Sequence, residues 1–162
     1  MSIILREYRP EDLPAMTGIW NEIVAAANAF PQTDPLSETE ARTFFADQDY
    51  TGVAAADDKV LGLYILHPNN IGRCSHIANA SFAVGSQSRG KGVGELLVRD
   101  CLSQGKRLGF RILQFNAVLE INTVANHLYE KLGFHKLGTI PGGFRLNDGE
   151  YTAINLYYIE LA

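Results

Sequence analysis

At 162 residues, 46% of them hydrophobic and 20% charged, the chain is long enough to bury a core and has the composition of an ordinary globular protein. Fourteen Lys and Arg against 18 Asp and Glu leave a net charge of −4, which gives no electrostatic basis for nonspecific nucleic-acid binding. MSIILREYRPED meets charge after three apolar residues, and no apolar run approaches the roughly 18 residues of a membrane span. The expectation is a cytoplasmic protein with no membrane or nucleic-acid partner.

IILREYR (3–9) reads as a strand. From Pro10 to Ala29, Leu13, Met16, Trp20, Ile23 and Ala27 recur at helical spacing. NAFPQTDPL, with two prolines, is a loop. SETEARTFFAD pairs Ser37 with Glu40 at the spacing of a capping box and predicts a second helix. YTGVAAAD and KVLGLYILH form a hairpin turned at Asp57-Asp58. HPNNIGRC is a loop, and SHIANASFAV (75–84) is a half- or fully buried strand. Val93 to Leu108 is a helix, FRILQFNAVLE (110–120) a strand, and INTVANHLYEKL a helix ended by Gly133. GFHKLGTI and YTAINLYYIEL are the last strands, joined by a loop holding PGGF and NDG. The order β-α-α-β-β-β-α-β-α-β-β predicts an α/β fold with a mixed sheet, as one domain over residues 1–162.

Cys74 and Cys101 have no metal-ligand pairing, and His67, His76, His127 and His135 match no zinc motif. Two free thiols and no metal are expected. The informative stretch is SQSRGKGVGELLVRD. Lys91 is followed by Gly92, so the P-loop pattern fails, and G-x-G-x-G is not the dinucleotide fingerprint. What remains is a strand, a glycine-rich loop and a helix N-terminus. Free N–H groups and the helix dipole converge there. Gly90, Gly92 and Gly94 let an anion approach the backbone, and Arg89 and Lys91 add positive charge.

Arg89-Gly90-Lys91-Gly92-Val93-Gly94 resembles the [RQ]-x-x-G-x-[GA] signature of the GNAT (Gcn5-related N-acetyltransferase) superfamily. NTVANHLYEKLGF (122–134) resembles that family's N-x-x-A-x-x-L-Y-x-x-x-G-F segment, in the order the family requires. The resemblance implies the GNAT acyltransferase fold and an enzyme taking acetyl-CoA as co-substrate. It implies that residues 89–94 bind the pyrophosphate and that the main chain of Phe82 to Val84 binds the pantetheine arm. The Val84 N–H would face the thioester carbonyl, where a donor stabilises the oxyanion. Asn122 would contact the pantetheine. Tyr129 matches a tyrosine that protonates the leaving thiolate, or is an ordinary core-edge tyrosine.

The helix itself can be read beside this. Ile121, Ala125, Leu128 and Leu132 form an apolar stripe, and Asn122, Asn126 and Tyr129 form a polar stripe next to it. Asn126 therefore joins the candidate coenzyme contacts.

Direct attack on the thioester requires a neutral amine, and an alkylamine with a pKa near ~10.4 is mostly protonated at neutral pH. A base or an ordered water is needed. Glu120 and His76 are candidates, and strand parity puts Glu120 on one face with Asn116. Asn79 and Asn116 are amides within apolar strands, so each serves either an inter-strand hydrogen bond or the acceptor. H-I-x-N-A followed by F-N-x-V resembles a GNAT subgroup that includes the fungal azetidine-2-carboxylate acetyltransferase. IWNEIVAAANAF…PLSETEARTFF resembles the phosphinothricin acetyltransferase group. Both imply a small amino-acid-like amine as acceptor. Arg145 could hold its carboxylate or could simply be solvated. A protein or peptide amine, and a noncatalytic acyl-CoA sensor, are the rival readings. A homodimer is compatible with the chain.

Overall fold

Residues 2–161 are described in a computed structural model. The strands are β1 (Ile4–Glu7), β2 (Tyr50–Ala56), β3 (Lys59–Pro68), β4 (Ile77–Val84), β5 (Ile112–Leu119), β6 (His135–Arg145) and β7 (Tyr151–Glu160). The helices are α1 (Leu13–Ala26), α2 (Glu38–Ala46), α3 (Val93–Arg107) and α4 (Thr123–Lys131). This is the element order expected from the sequence. Among the described residues the strands make one seven-stranded sheet in the order β1-β2-β3-β4-β5-β7-β6, with β4 and β5 the only parallel neighbours. Among the described residues, no helix is long and apolar enough to cross a membrane.

Strand alternation assigns the two faces. Ala78, Ala80, Phe82 and Val84 of β4 point to the face covered by α3 and α4, where they join Leu97, Cys101, Phe115 and Tyr157. Ala83 points to the other face, against Met16, Trp20 and Phe45 of α1 and α2. Asn79 and Ser81 share its parity and that second face. Trp20 is packed by Phe30, Phe44 and Phe45 at centroid distances of 4.4 to 5.8 Å.

The local signals act as their chemistry dictates. Ser37 and Glu40 form the reciprocal capping box of α2. Asp57 and Asp58 have φ of 51° and 63°, the positive pair that a tight type I′ hairpin needs. Two expected boundaries move. Pro10–Asp12 is a 3-10 turn, and α1 starts at Leu13. The Asp12 carboxylate fixes that turn by accepting from Arg9 N at 2.8 Å and Arg6 Nη1 at 2.7 Å. The PGGF segment is not a loop, because β6 runs through it to Arg145 with an irregularity between Ile140 and Phe144. As β6 is an edge strand, Pro141 can lack an N–H without breaking a ladder.

Candidate functional site

β4 and β5 are paired only at Ile77–Ile112 and Ala78–Leu113, and then they part. Beyond that point β4 is bonded to β3 and β5 to β7, so a wedge opens between them. Gly85 N donates to Leu61 O at 2.9 Å, while Gly62 lies opposite Val84. Val84 is thus in a non-hydrogen-bonded pair, and its own N–H and C=O turn away from β3 into the wedge. Phe82, two residues earlier, does the same. At the apex, Asn79 Nδ2 donates to the Gln114 carbonyl of β5 at 2.9 Å. This side-chain bond closes the ladder where the backbones separate. Asn79 therefore fills the inter-strand role that was one of its two alternatives, and its Oδ1 is left unused.

The glycine loop lies at the open end of β4. Gly90 and Gly92 have φ of 76° and 79°, and Gly92 caps α3 without a side chain. Its missing Cβ would meet no protein atom within 4 Å, so the space above it is open. No described hydrogen bond uses the N–H of residues 89–92, and those of Val93, Gly94 and Glu95 in the first turn lack carbonyl partners. Arg89 and Lys91 are exposed and form no described ion pair. Glu95 sits in that turn, held by Lys131 Nζ at 2.7 Å and Arg99 Nε at 3.0 Å. The bond from Lys131, then that from Arg99, keeps the Glu95 carboxyl below its usual range. Two cations thus offset the one acidic group beside the loop.

Tyr129 of α4 faces the wedge from the α3 side. Its ring lies 4.5 Å from Phe115, whose ring in turn lies 5.8 Å from that of Phe82. Its hydroxyl makes no described protein hydrogen bond and is not sealed from solvent. Burial among these rings pushes the phenol well above its ordinary range, which holds the proton on it. Asn122 caps α4, its Oδ1 accepting from Ala125 N at 3.1 Å, and its Nδ2 makes no described hydrogen bond.

Asn126 does not fit the coenzyme contact expected of it. Its Nδ2 donates to Leu119 O at 2.9 Å and to Asn122 O at 2.8 Å. Its Oδ1 accepts from Asn155 Nδ2 at 2.8 Å and from Tyr157 Oη at 2.6 Å. All four hydrogen-bonding positions of the amide are used, so Asn126 ties α4 to β5 and β7.

The second face of the wedge carries amides. Asn116 is exposed there, not buried, and its Nδ2 donates to Asn69 Oδ1 at 2.6 Å. Gln114 Nε2 donates to Asn116 Oδ1 at 3.0 Å. Glu120 is not on this face. A bulge between Phe115 and Val118 adds a residue to β5 opposite β7, which reverses the alternation before Glu120. Glu120 is exposed on the α4 side, beside His127, Glu130 and Lys136. His76 is exposed ahead of β4, at the closed end of the wedge. Neither stands where an amine would approach from the second face. Arg145 ends β6 and lines a cleft of ≈ 260 Å³ with Phe30, Pro31, Thr33, Phe144 and Asn147, between the α1–α2 loop and the β6–β7 hairpin. Cys101 is buried, and burial raises its thiol above the ordinary range, so it is a poor nucleophile.

Sequence reading passed over Asn69, Gln114 and Phe115. Asn69 lies in an unremarkable loop 47 positions from its partner, and no local pattern marks such a pair. Phe115 could have been found as the apolar neighbour of Asn116 on the opposite face.

The model of the Acetyltransferase (GNAT) family matches residues 13–134. The N-acetyltransferase aca1 of Schizosaccharomyces pombe is 38% identical over 91 residues, which are 56% of this chain but only 44% of that protein's length. YwnH of Bacillus subtilis, which carries the name of a phosphinothricin acetyltransferase, is 28% identical across 93% of this chain and 94% of its own. Among solved structures, a GCN5-related N-acetyltransferase from Kribbella flavida superposes with a TM-score of 0.89 at 36% identity, covering 98% and 97% of the two chains.

Proposed function

This chain belongs to the acetyltransferase (GNAT) family, and from that premise we propose that it moves the acetyl group of acetyl-CoA onto the amine of a small, amino-acid-like acceptor. The observation that carries the reading is the wedge, with an anion-ready loop at its open end, a hydroxyl on one face and amides on the other. The pyrophosphate sits on the free N–H groups of Arg89 to Glu95, with Gly90 and Gly92 allowing close approach. The pantetheine arm lies along β4, bonded to the Val84 main chain and to Asn122 Nδ2.

The donor for the thioester carbonyl is assigned to Phe82 N–H rather than Val84. Tyr129 must lie beside the sulfur to act as an acid, and Phe115 bridges Tyr129 to Phe82. The amine enters from the second face, past Asn79 and Asn116. It attacks the carbonyl carbon, and the oxyanion forms on the Phe82 N–H. The C–S bond then breaks as the Tyr129 hydroxyl donates its proton to the departing thiolate. The proton lost by the amine leaves through ordered water, since Glu120 and His76 lie elsewhere.

The acceptor reading draws on the cleft at Arg145, whose guanidinium can take a carboxylate in a bidentate pair. It also draws on the full-length likeness to YwnH. The test is a thiol-release screen over free amino acids, phosphinothricin, azetidine-2-carboxylate and N-terminal peptides. Turnover is expected with the small acids and a loss of at least tenfold when their carboxylate is esterified. Preference for peptides, or acetyl-CoA binding with no amine-dependent thiol release, would overturn it.

A further inference from the structure

The amide side chains on the second face form a directed chain whose outer members touch neither strand end of the proposed coenzyme path. We propose that Asn69 and Gln114 are positioning residues that fix the orientation of the Asn116 amide toward the acceptor amine. The inference rests on the reading that Asn116 contacts the acceptor.

An amide side chain offers two donors and two lone pairs, and its two ends are chemically opposite. Gln114 Nε2 is a donor, so at 3.0 Å it selects the Asn116 oxygen. Asn69 Oδ1 is an acceptor, so at 2.6 Å it selects the Asn116 nitrogen. Together they hold the Asn116 amide at both ends and keep it in one rotamer. One lone pair of Asn116 Oδ1 and one N–H of its Nδ2 remain for a ligand. An amine that donates a hydrogen to that lone pair has its own lone pair directed, not free to rotate.

Both anchors are held at their main chain. Gln114 lies in the β5–β7 ladder opposite Tyr158, and its main-chain carbonyl accepts from Asn79 Nδ2. Asn69 N donates to Ile77 O at 2.7 Å, which pins the loop after β3 to the start of β4. The chain Asn69–Asn116–Gln114 therefore links the loop after β3 to β5 near the apex of the wedge. Without it, an exposed asparagine would exchange among rotamers, and each productive encounter would have to freeze one.

Four variants test this, assayed by thiol release with the best acceptor among the twenty amino acids, phosphinothricin and azetidine-2-carboxylate. Asn69→Leu is expected to lower kcat/KM for the acceptor about 3- to 10-fold, the range of one net hydrogen bond, with the dissociation constant of acetyl-CoA unchanged. Asn69→Asp keeps the accepting oxygen and should recover at least half of that factor. Asn116→Ala should lose as much as Asn69→Leu or more, and the double variant should be no worse than Asn116→Ala alone. An impaired Asn116→Ala beside an unimpaired Asn69→Leu would overturn the positioning role. So would losses that multiply in the double variant. An unimpaired Asn116→Ala, or no turnover of any small acceptor, would overturn the acceptor reading and the positioning role with it.

Discussion

Tyr129→Phe removes one oxygen from the wedge and nothing else. The phenol makes no described protein hydrogen bond, so no partner is orphaned, and the ring that packs 4.5 Å from Phe115 and 5.4 Å from Phe134 is retained. Stability should therefore move by less than about 0.5 kcal/mol. Coenzyme affinity should be unchanged within about twofold, because the proposed binding groups are the loop and the β4 main chain. The rate is another matter. General acids contribute roughly 10²- to 10⁴-fold, and a thiol with a pKa near ~8.5 is a fair leaving group unaided, which puts Tyr129 at the lower end. About 100-fold in kcat corresponds to ~2.7 kcal/mol of lost transition-state stabilisation. The assay is thiol release at saturating acetyl-CoA, beside calorimetric titration of the coenzyme and a thermal melt. A kcat within threefold of wild type would refute the acid role. An equal loss of affinity and turnover would refute it as well.

Three further perturbations separate the site from its scaffold. Gly92→Asp puts a carboxylate where the anion is proposed to sit, so acetyl-CoA should bind at least tenfold more weakly, while Gly92→Ala should carry mainly the roughly 1–2 kcal/mol cost of a left-handed backbone. Calorimetry of both variants decides this, and unchanged affinity in Gly92→Asp would remove the loop assignment. Asn126→Leu leaves Tyr157 Oη and Asn155 Nδ2 without their shared acceptor, so denaturant unfolding should report about 2–4 kcal/mol of lost stability. A loss of coenzyme affinity with unchanged stability would restore Asn126 as a binding residue. Asp12 is held below its ordinary range, first by the hydrogen bond from Arg6. A depressed carboxyl stabilises the fold above its unfolded pKa, near ~3.9, and that contribution is lost as pH falls through the folded value. Asp12→Asn should cost about 1–2 kcal/mol at pH 7, and the difference should shrink as pH falls below the ordinary carboxylate range. A constant difference across that window would refute the ion pair as its cause.

What could be read in advance follows the range of the interaction. The capping box at Ser37 and Glu40, the Asp57-Asp58 hairpin and the glycines before α3 are contacts within a few residues, and each is where its chemistry puts it. The element order followed from those signals. The errors lie where one strand answers another. Parity from Asn116 to Glu120 assumes an unbroken ladder, and the β5 bulge against β7 reverses it. Asn126 has the polar character of a ligand contact, but Tyr157 and Asn155 reach it from 31 and 29 positions away. Asn79 shows the same limit in milder form, since both of its alternatives needed an amide. Only the separation of β4 from β5 decides that one end of it is spoken for.

That separation has a thermodynamic consequence as well as a chemical one. The inner edges of two central strands are left with main-chain donors and acceptors that no neighbouring strand satisfies. An arm of amides laid along Val84 and Phe82 would act as a borrowed strand, supplied from solution instead of from the chain. Folding and loading are then linked, and a hundredfold excess of coenzyme over its dissociation constant would add about 2.7 kcal/mol to the native state. The amides of Phe82 and Val84 should exchange quickly in the empty protein and slowly in the loaded one. A larger supply of acetyl-CoA would then raise the share of the chain that is folded.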